Sequence, residues 1–189
     1  MILLNPPPEP LDFKDKVENK GQKWLVDHPD AEASKFPDYW NEVREQVQDA
    51  FDGCCAYLGF PIPSGQIDHF LPKDEYRDRA YKWANYRWSE PRVNLLKRTL
   101  TFLDPFEIGE DWVTIDPVTL EYQVTDTLPA RLTQAGSNTI KVLNDPELVR
   151  GRRNMLGKLT RNNETWDIDR LQYFFPLLAR AVNAIEPKG

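Results

Sequence analysis

The chain predicts an α+β fold, a single domain of 189 residues in which two short strands and the helix after them are wrapped by further helices. Three stretches carry that prediction. Residues 66–71 (Gln-Ile-Asp-His-Phe-Leu) are mostly apolar on alternate sides and are stopped by Pro72, the pattern of a strand. Residues 81–88 are dense in aromatic side chains and read as the strand returning beside it. Residues 91–100 place Val93, Leu96 and Leu100 at spacings of three and four, which is the stripe of a helix packed on one side. The chain is long enough to bury a core, and its hydrophobic content of 40% with six tryptophans argues against disorder.

In order, residues 1–11 hold four prolines and no periodicity, so they read as an extended arm that docks on a partner or on the domain's own surface. Residues 12–26 suit a helix ended near His28-Pro29, and His28, with no companion nearby, suits the surface. Pro37 and Asp38 open a stronger helix to about Phe51. Its buried stripe is Trp40, Val43, Val47, Ala50 and Phe51; Glu42, Arg44, Glu45 and Gln48 face out, and Asp52-Gly53 ends it. Residues 54–58 form a short strand or turn, and 60–65 a loop. Between the two central strands lies a charged, solvated excursion. Ser89 is the candidate cap of the helix 91–100, with Glu90 and Pro91 in its first turn. Asp104-Pro105 breaks that helix. Residues 112–124 read as a β-hairpin turning at Asp116-Pro117, and 138–143 continue into a helix over about 146–159. Residues 162–164 are a linker, and 167–185 are mainly helical with a break at Pro176.

Composition excludes several classes. Two cysteines build no disulfide framework. No basic-plus-apolar leader opens the chain and no run approaches a membrane span, so a cytoplasmic protein with no membrane contact is expected. No Gly-rich phosphate loop is present. The net charge of −6 is acidic, yet two basic patches stand out. From Asp68 to Arg98 there are eight Lys/Arg against five Asp/Glu, and from Glu147 to Arg161 five against one. Either patch reads as a nucleic-acid surface or as a solvated helix face. Lys73, Arg92, Arg98, Arg150, Arg152 and Arg153 are the candidate phosphate contacts.

The residue types in 66–98 suit phosphodiester hydrolysis. His69 is a candidate base for water, because a neutral imidazole gains a proton near working pH. Asp68 offers a carboxylate oxygen and Asn94 an amide oxygen, both hard donors suited to Mg²⁺ or Mn²⁺. Lys97 could steady a phosphate. On a regular strand, however, neighbours such as Asp68 and His69 point to opposite faces, so one shared site requires a bend, which the nearby Pro72 makes plausible.

The series Asp68-His69, Asn85, Asn94, Lys97 resembles the HNH nucleases in order and gaps. The run Asp-His-Phe-Leu-Pro-Lys at 68–73 is similar to a signature of one HNH subfamily. That subfamily is encoded beside Rad50-like or ABC-type ATPases in bacterial anti-phage systems, and the Septu nuclease subunit is an example. Trp40, the Cys-Ala-Tyr at 55–57, and residues 138–144 with 150–153 match it too, so the likeness covers about 38–160. The resemblance implies a ββα-metal nuclease core over 66–100 and a helical C-terminal part over 146–186. It implies a divalent ion on Asp68 and Asn94, His69 as base, and Asn85 holding the loop that aims His69 without touching the metal. It also implies DNA as the default substrate, with RNA left open, and an ATPase subunit as partner. Many relatives carry two Cys-x-x-Cys pairs around a structural zinc. Here Cys55 matches the first position, but Leu58, Glu90 and Val93 stand at the others, so no structural zinc is expected. Either apolar packing replaces the zinc or the correspondence fails there. The rival reading is a non-catalytic subunit that keeps the fold.

Overall fold

The structure is a computed structural model and describes residues 3–159 and 168–185. Helical and strand elements are mixed, and the described strands form three separate two-stranded antiparallel hairpins. The α+β expectation holds at that level. The linker expected at 162–164 lies outside the described residues.

The chain opens with a turn of π-helix, Lys14–Glu18, that runs on into α1 (Asn19–Asp27). Phe13 and Val17 from this face are fully buried. Gly21 is buried there because the Tyr81 ring lies against its backbone, and a Cβ would come within 2.0 Å of that ring. A 3-10 turn, Tyr39–Val43, then leads into α2 (Arg44–Ala50), so the single helix expected from residue 37 is two pieces that break at Val43. The expected stripe is nonetheless inward: Trp40, Val43, Val47 and Phe51 are buried. Asp52 and Gly53, both at positive φ, end it as expected. Strands β1 (Cys54–Cys55) and β2 (Phe60–Pro61) pair, so the segment expected to be loop starts as strand.

The central hairpin is β3 (Gln66–His69) against β4 (Tyr86–Ser89), in the register Gln66↔Ser89, Ile67↔Trp88, Asp68↔Arg87, His69↔Tyr86. The return strand begins at Tyr86 rather than Tyr81. Trp83–Asn85 forms a 3-10 turn instead, because these residues close the intervening loop. Helix α3 (Pro91–Lys97) follows directly. Its cap is Glu90, not Ser89: the Glu90 carboxylate accepts from the N–H groups of Arg92 (2.6 Å) and Val93 (3.0 Å), while Ser89 closes the strand. The helix stops at Lys97, short of the expected Leu100, which is exposed.

The second half supports this core. Strands β5 (Val113–Ile115) and β6 (Tyr122–Val124) form the expected hairpin, with the Asp116 carboxylate accepting from the Val118 and Thr119 N–H groups in its turn. Helix α4 (Thr133–Leu143) starts five residues before the expected Asn138, and α5 (Pro146–Leu159) matches expectation. At the break between them the Asn144 side chain pairs with both backbone groups of Tyr122, each at 2.8 Å. Helices α6 (Ile168–Phe174) and α7 (Pro176–Ile185) part at Phe175, as the proline demands. Leu171, Phe175 and Leu178 are buried and the Phe175 ring lies 5.0 Å from Phe60, so this C-terminal stripe closes the domain's own core. The proline arm docks on the same domain: the Trp83 indole donates to the Pro7 carbonyl (2.9 Å), and the Leu4 N–H to that of Pro105 (2.8 Å).

Candidate functional site

Asn85 is buried in the turn before β4, and its side chain works as a clasp. Its Oδ1 accepts from the Leu71 N–H at 2.8 Å, and its Nδ2 donates to the carbonyls of Leu71 (3.0 Å) and Arg79 (3.2 Å). The ladder continues one step as the Phe70 N–H donates to the Asn85 carbonyl. The two ends of the charged loop are thereby tied together immediately after His69.

That loop supplies the partner of His69. The Ala80 carbonyl lies 2.8 Å from His69 Nε2 and also accepts from the Tyr86 hydroxyl at 3.0 Å. A carbonyl only accepts, so Nε2 carries the proton and Nδ1 keeps the ring's lone pair. The imidazole is half-buried, edge-on to Trp40 (4.7 Å) and Tyr86 (5.2 Å). Burial pushes its pKa down to about 4, against the upward pull of the Ala80 carbonyl, so the ring is neutral at ordinary pH. Lys73, half-buried, sets its ammonium 4.6 Å from the Trp40 ring, and burial lowers its pKa.

Asp68 lies on the opposite face of β3, as strand alternation dictates, and no bend brings it round to His69. It is buried. Its Oδ2 accepts from the Tyr57 hydroxyl, and both oxygens lie near Lys97 Nζ (3.1 and 3.3 Å). Burial raises its pKa against the opposing pull of Lys97. Opposite it in register, Arg87 is buried too, paired through Nη2 with both oxygens of Asp104 (2.8 and 2.9 Å), donating to the carbonyls of Ala84 and Tyr86, and stacked 3.6 Å over Phe106. Two ion pairs, buried Asp68–Lys97 and Arg87–Asp104 with its half-buried carboxylate, therefore lie side by side on this face of the hairpin.

Lys97 corrects the expectation of an outward cation. It is fully buried, donating to Asp68 and to the His69 carbonyl (2.9 Å), because α3 turns its Asn94/Lys97 face onto β3. Asn94 donates to Gln66 Oε1 at 3.1 Å. Asn94 borders a cleft of about 820 Å³ with Gln66, Arg92, Leu95, Arg98 and Glu147.

As arranged, the expected metal ligands do not fit a divalent ion. The Asp68 oxygens already hold a hydroxyl and an ammonium. Among the described residues no three His, Cys, Asp or Glu side chains gather as a metal set.

At the position where the sequence resemblance would place the first zinc cysteine, Cys55 is buried with its sulfur accepting from the Glu90 N–H at 3.4 Å, and burial raises its pKa to about 11. Leu58 and Val93 are core residues, and the Glu90 carboxylate caps α3.

The candidate phosphate contacts divide. Arg98, Arg150 and Arg153 are exposed. Arg92 is taken up by Asp145 (2.5 Å) and Glu147 (2.8 Å). Arg152 is buried, clamping the carbonyls of Leu120 (2.9 Å) and Leu143 (2.8 Å) beneath the Tyr122 ring, so it is structural. Lys158 and Arg161 of the second basic patch have no described side chains. Tyr57 and Asp104 escaped the sequence reading. The signal for Arg87 was present, since a hairpin register setting it across from Asp68 marks it as a buried charge partner.

No protein-family model matches this chain, and no curated protein matches it. What stands is a mixed α+β protein; among its described residues no helix is long and apolar enough to cross a membrane.

Proposed function

We propose that the chain is an HNH-type endonuclease that hydrolyses nucleic-acid phosphodiesters, with DNA as the default substrate. One observation carries the reading: a neutral His69 with a single tautomer, held by the Ala80 carbonyl in a loop that Asn85 clasps. The sequence resemblance asks those two residues for that division of labour. Nδ1 is the base toward water, and Nε2–H, tied to the carbonyl, keeps the ring oriented and stabilises the imidazolium that forms. A pKa of about 4 makes this a weak base in the empty site. An approaching phosphate anion raises it, because negative charge favours the protonated ring. Arg98 lies at the cleft beside Asn94, which His69 does not line, so it offers positive charge for the backbone away from the base. The resemblance implies dependence on Mg²⁺ or Mn²⁺, although the Asp68 carboxylate here holds Lys97.

The same resemblance suggests an ABC-type or Rad50-like ATPase partner and a role in anti-phage defence. A second reading, a non-catalytic subunit of such a complex, is favoured by the enclosure of Asp68 between Tyr57 and Lys97. Nicking of supercoiled plasmid with Mg²⁺ or Mn²⁺, with and without chelator, separates the two. The nuclease reading expects chelator-sensitive nicking that His69→Ala abolishes while leaving the fold intact. Nicking by His69→Ala at the parental rate would refute it, and no nicking in any partner context would favour the second reading.

A further inference from the structure

We infer that the apolar cleft between α5, β2 and the end of α6 binds an aliphatic carboxylate, with the head group on Arg152 and the chain along Phe60, Ile62, Met155 and Phe174. The cleft holds about 610 Å³, within the range of small-ligand sites, and its wall is largely apolar. Leu148, Arg152 and Met155 stand at spacings of four and three, so one face of α5 brings all three to it.

Arg152 is what the cleft has beyond an apolar wall. The residue is fully buried. Its Nε and Nη1 serve the Leu120 and Leu143 carbonyls, but the buried Nη2 has no hydrogen-bond partner among the described residues. The other buried arginine, Arg87, shows the contrast, since both Asp104 oxygens pair with it. A buried cation without a counter-ion and a buried N–H without an acceptor are each costly. Burial accordingly holds the Arg152 pKa below its ordinary value. One carboxylate removes both costs. An alcohol brings an acceptor without charge, and an amine brings a second positive charge. The two acids at the cleft are already engaged: Glu147 pairs with Arg92 at 2.8 Å, and Glu90 accepts from the Arg92 and Val93 N–H groups. Both lie at the end shared with the larger cleft beside Asn94. The head group reaches the covered Nη2 as Met155, flexible and half-buried in the same wall, changes rotamer. The inference does not depend on the nuclease reading.

Met1 and Met155 are the chain's two methionines, so carbon-13 labelling of the methionine methyls in the full chain puts one probe in the cleft beside a reference signal. Decanoate, decanol and decylamine are titrated in turn at submicellar concentrations. Decanoate should shift the Met155 methyl saturably and bind roughly tenfold tighter than decanol or more, the scale of a hydrogen bond to a charged group. Decylamine should bind weakest. Arg152→Gln should erase the preference for decanoate over decanol. If that variant does not fold, Gly151→Trp answers instead. A Cβ at Gly151 meets nothing within 4 Å, so the new ring enters the cleft without disturbing α5, and decanoate binding should fall roughly tenfold. Several results overturn the inference: no saturable Met155 shift up to millimolar decanoate, equal affinity for decanoate and decanol, a preference kept by folded Arg152→Gln, or unchanged decanoate binding in Gly151→Trp.

Discussion

His69 and Asp68 are neighbours in sequence on opposite faces of β3, and His69 makes a prediction through its burial. For His69 the unfolded imidazole takes its proton near 6.5 and the folded one near 4. Between those values the unfolded chain binds more protons, so stability rises with pH across that window. It is lost as pH falls from 6.5 toward 4, by on the order of 3 kcal/mol in total. Urea melts of the parent and His69→Asn from pH 4.5 to 7.5 check this, because the parent should show the steeper slope. The acid limb of any cleavage profile should likewise lie well below 6.5 for the free protein. Asn85 makes a second prediction. Asn85→Ala leaves the Leu71 and Arg79 groups without their partner, which costs about 1–3 kcal/mol. It should also lower cleavage beyond what folding explains, since His69 loses its loop. Full activity in a folded Asn85→Ala protein would assign the clasp to stability alone.

At the scale of the element, α3 binds the site together although it is only seven residues long. Such a short helix depends on its cap and on packing rather than on propensity. The Glu90 carboxylate satisfies two N–H groups of the first turn, so Glu90→Ala should cost about 1 kcal/mol by denaturant unfolding. Ser89→Ala should cost less, since Ser89 closes β4 and caps nothing. The reverse order of the two losses would return the cap to Ser89. Beside this helix, Leu58 and Val93 are apolar core residues at positions that the sequence resemblance would give to zinc cysteines, and the buried thiol of Cys55 is held protonated by burial. The purified protein is expected to carry no stoichiometric zinc, and elemental composition after dialysis checks this. One zinc per chain would mean a different ligand set.

At the scale of the molecule, much of the basic character is spent internally. Arg87, Lys97 and Arg152 are buried, Arg92 is paired and Lys73 is half-buried against Trp40, which leaves Arg98, Arg150 and Arg153 as outward cations among the phosphate candidates on a chain of net charge −6. The isolated protein should therefore bind DNA weakly at physiological salt, with a shallow salt dependence. The proline arm is held to the domain through Leu4 and Pro7, and Leu171, Phe175 and Leu178 pack into its core. If an ATPase encoded beside this chain is its partner, co-expression should give a stable complex by light scattering and stronger nicking than either protein alone. Full activity from the isolated chain, unchanged by its neighbour, would remove the partner from the proposal.

The hairpin–helix order at 66–98, the inward face of 40–51 and the turn at Asp116 were legible in the residues themselves. These depend on spacing and on side chains that bond their own backbone, which are properties of a few consecutive positions. The alternation that opposes Asp68 and His69 was legible for the same reason, although a bend near Pro72 was expected to bring them into one site and does not occur. The tertiary structure alone decided which way the charged residues turn. Lys97 and Arg152 read as surface cations because their neighbours are polar. They are buried because Asp68 in one case, and the Leu120 and Leu143 carbonyls in the other, converge on them from distant parts of the chain. A charge is buried only where partners offset its desolvation. Those partners are set by packing across the whole core, which local sequence does not encode.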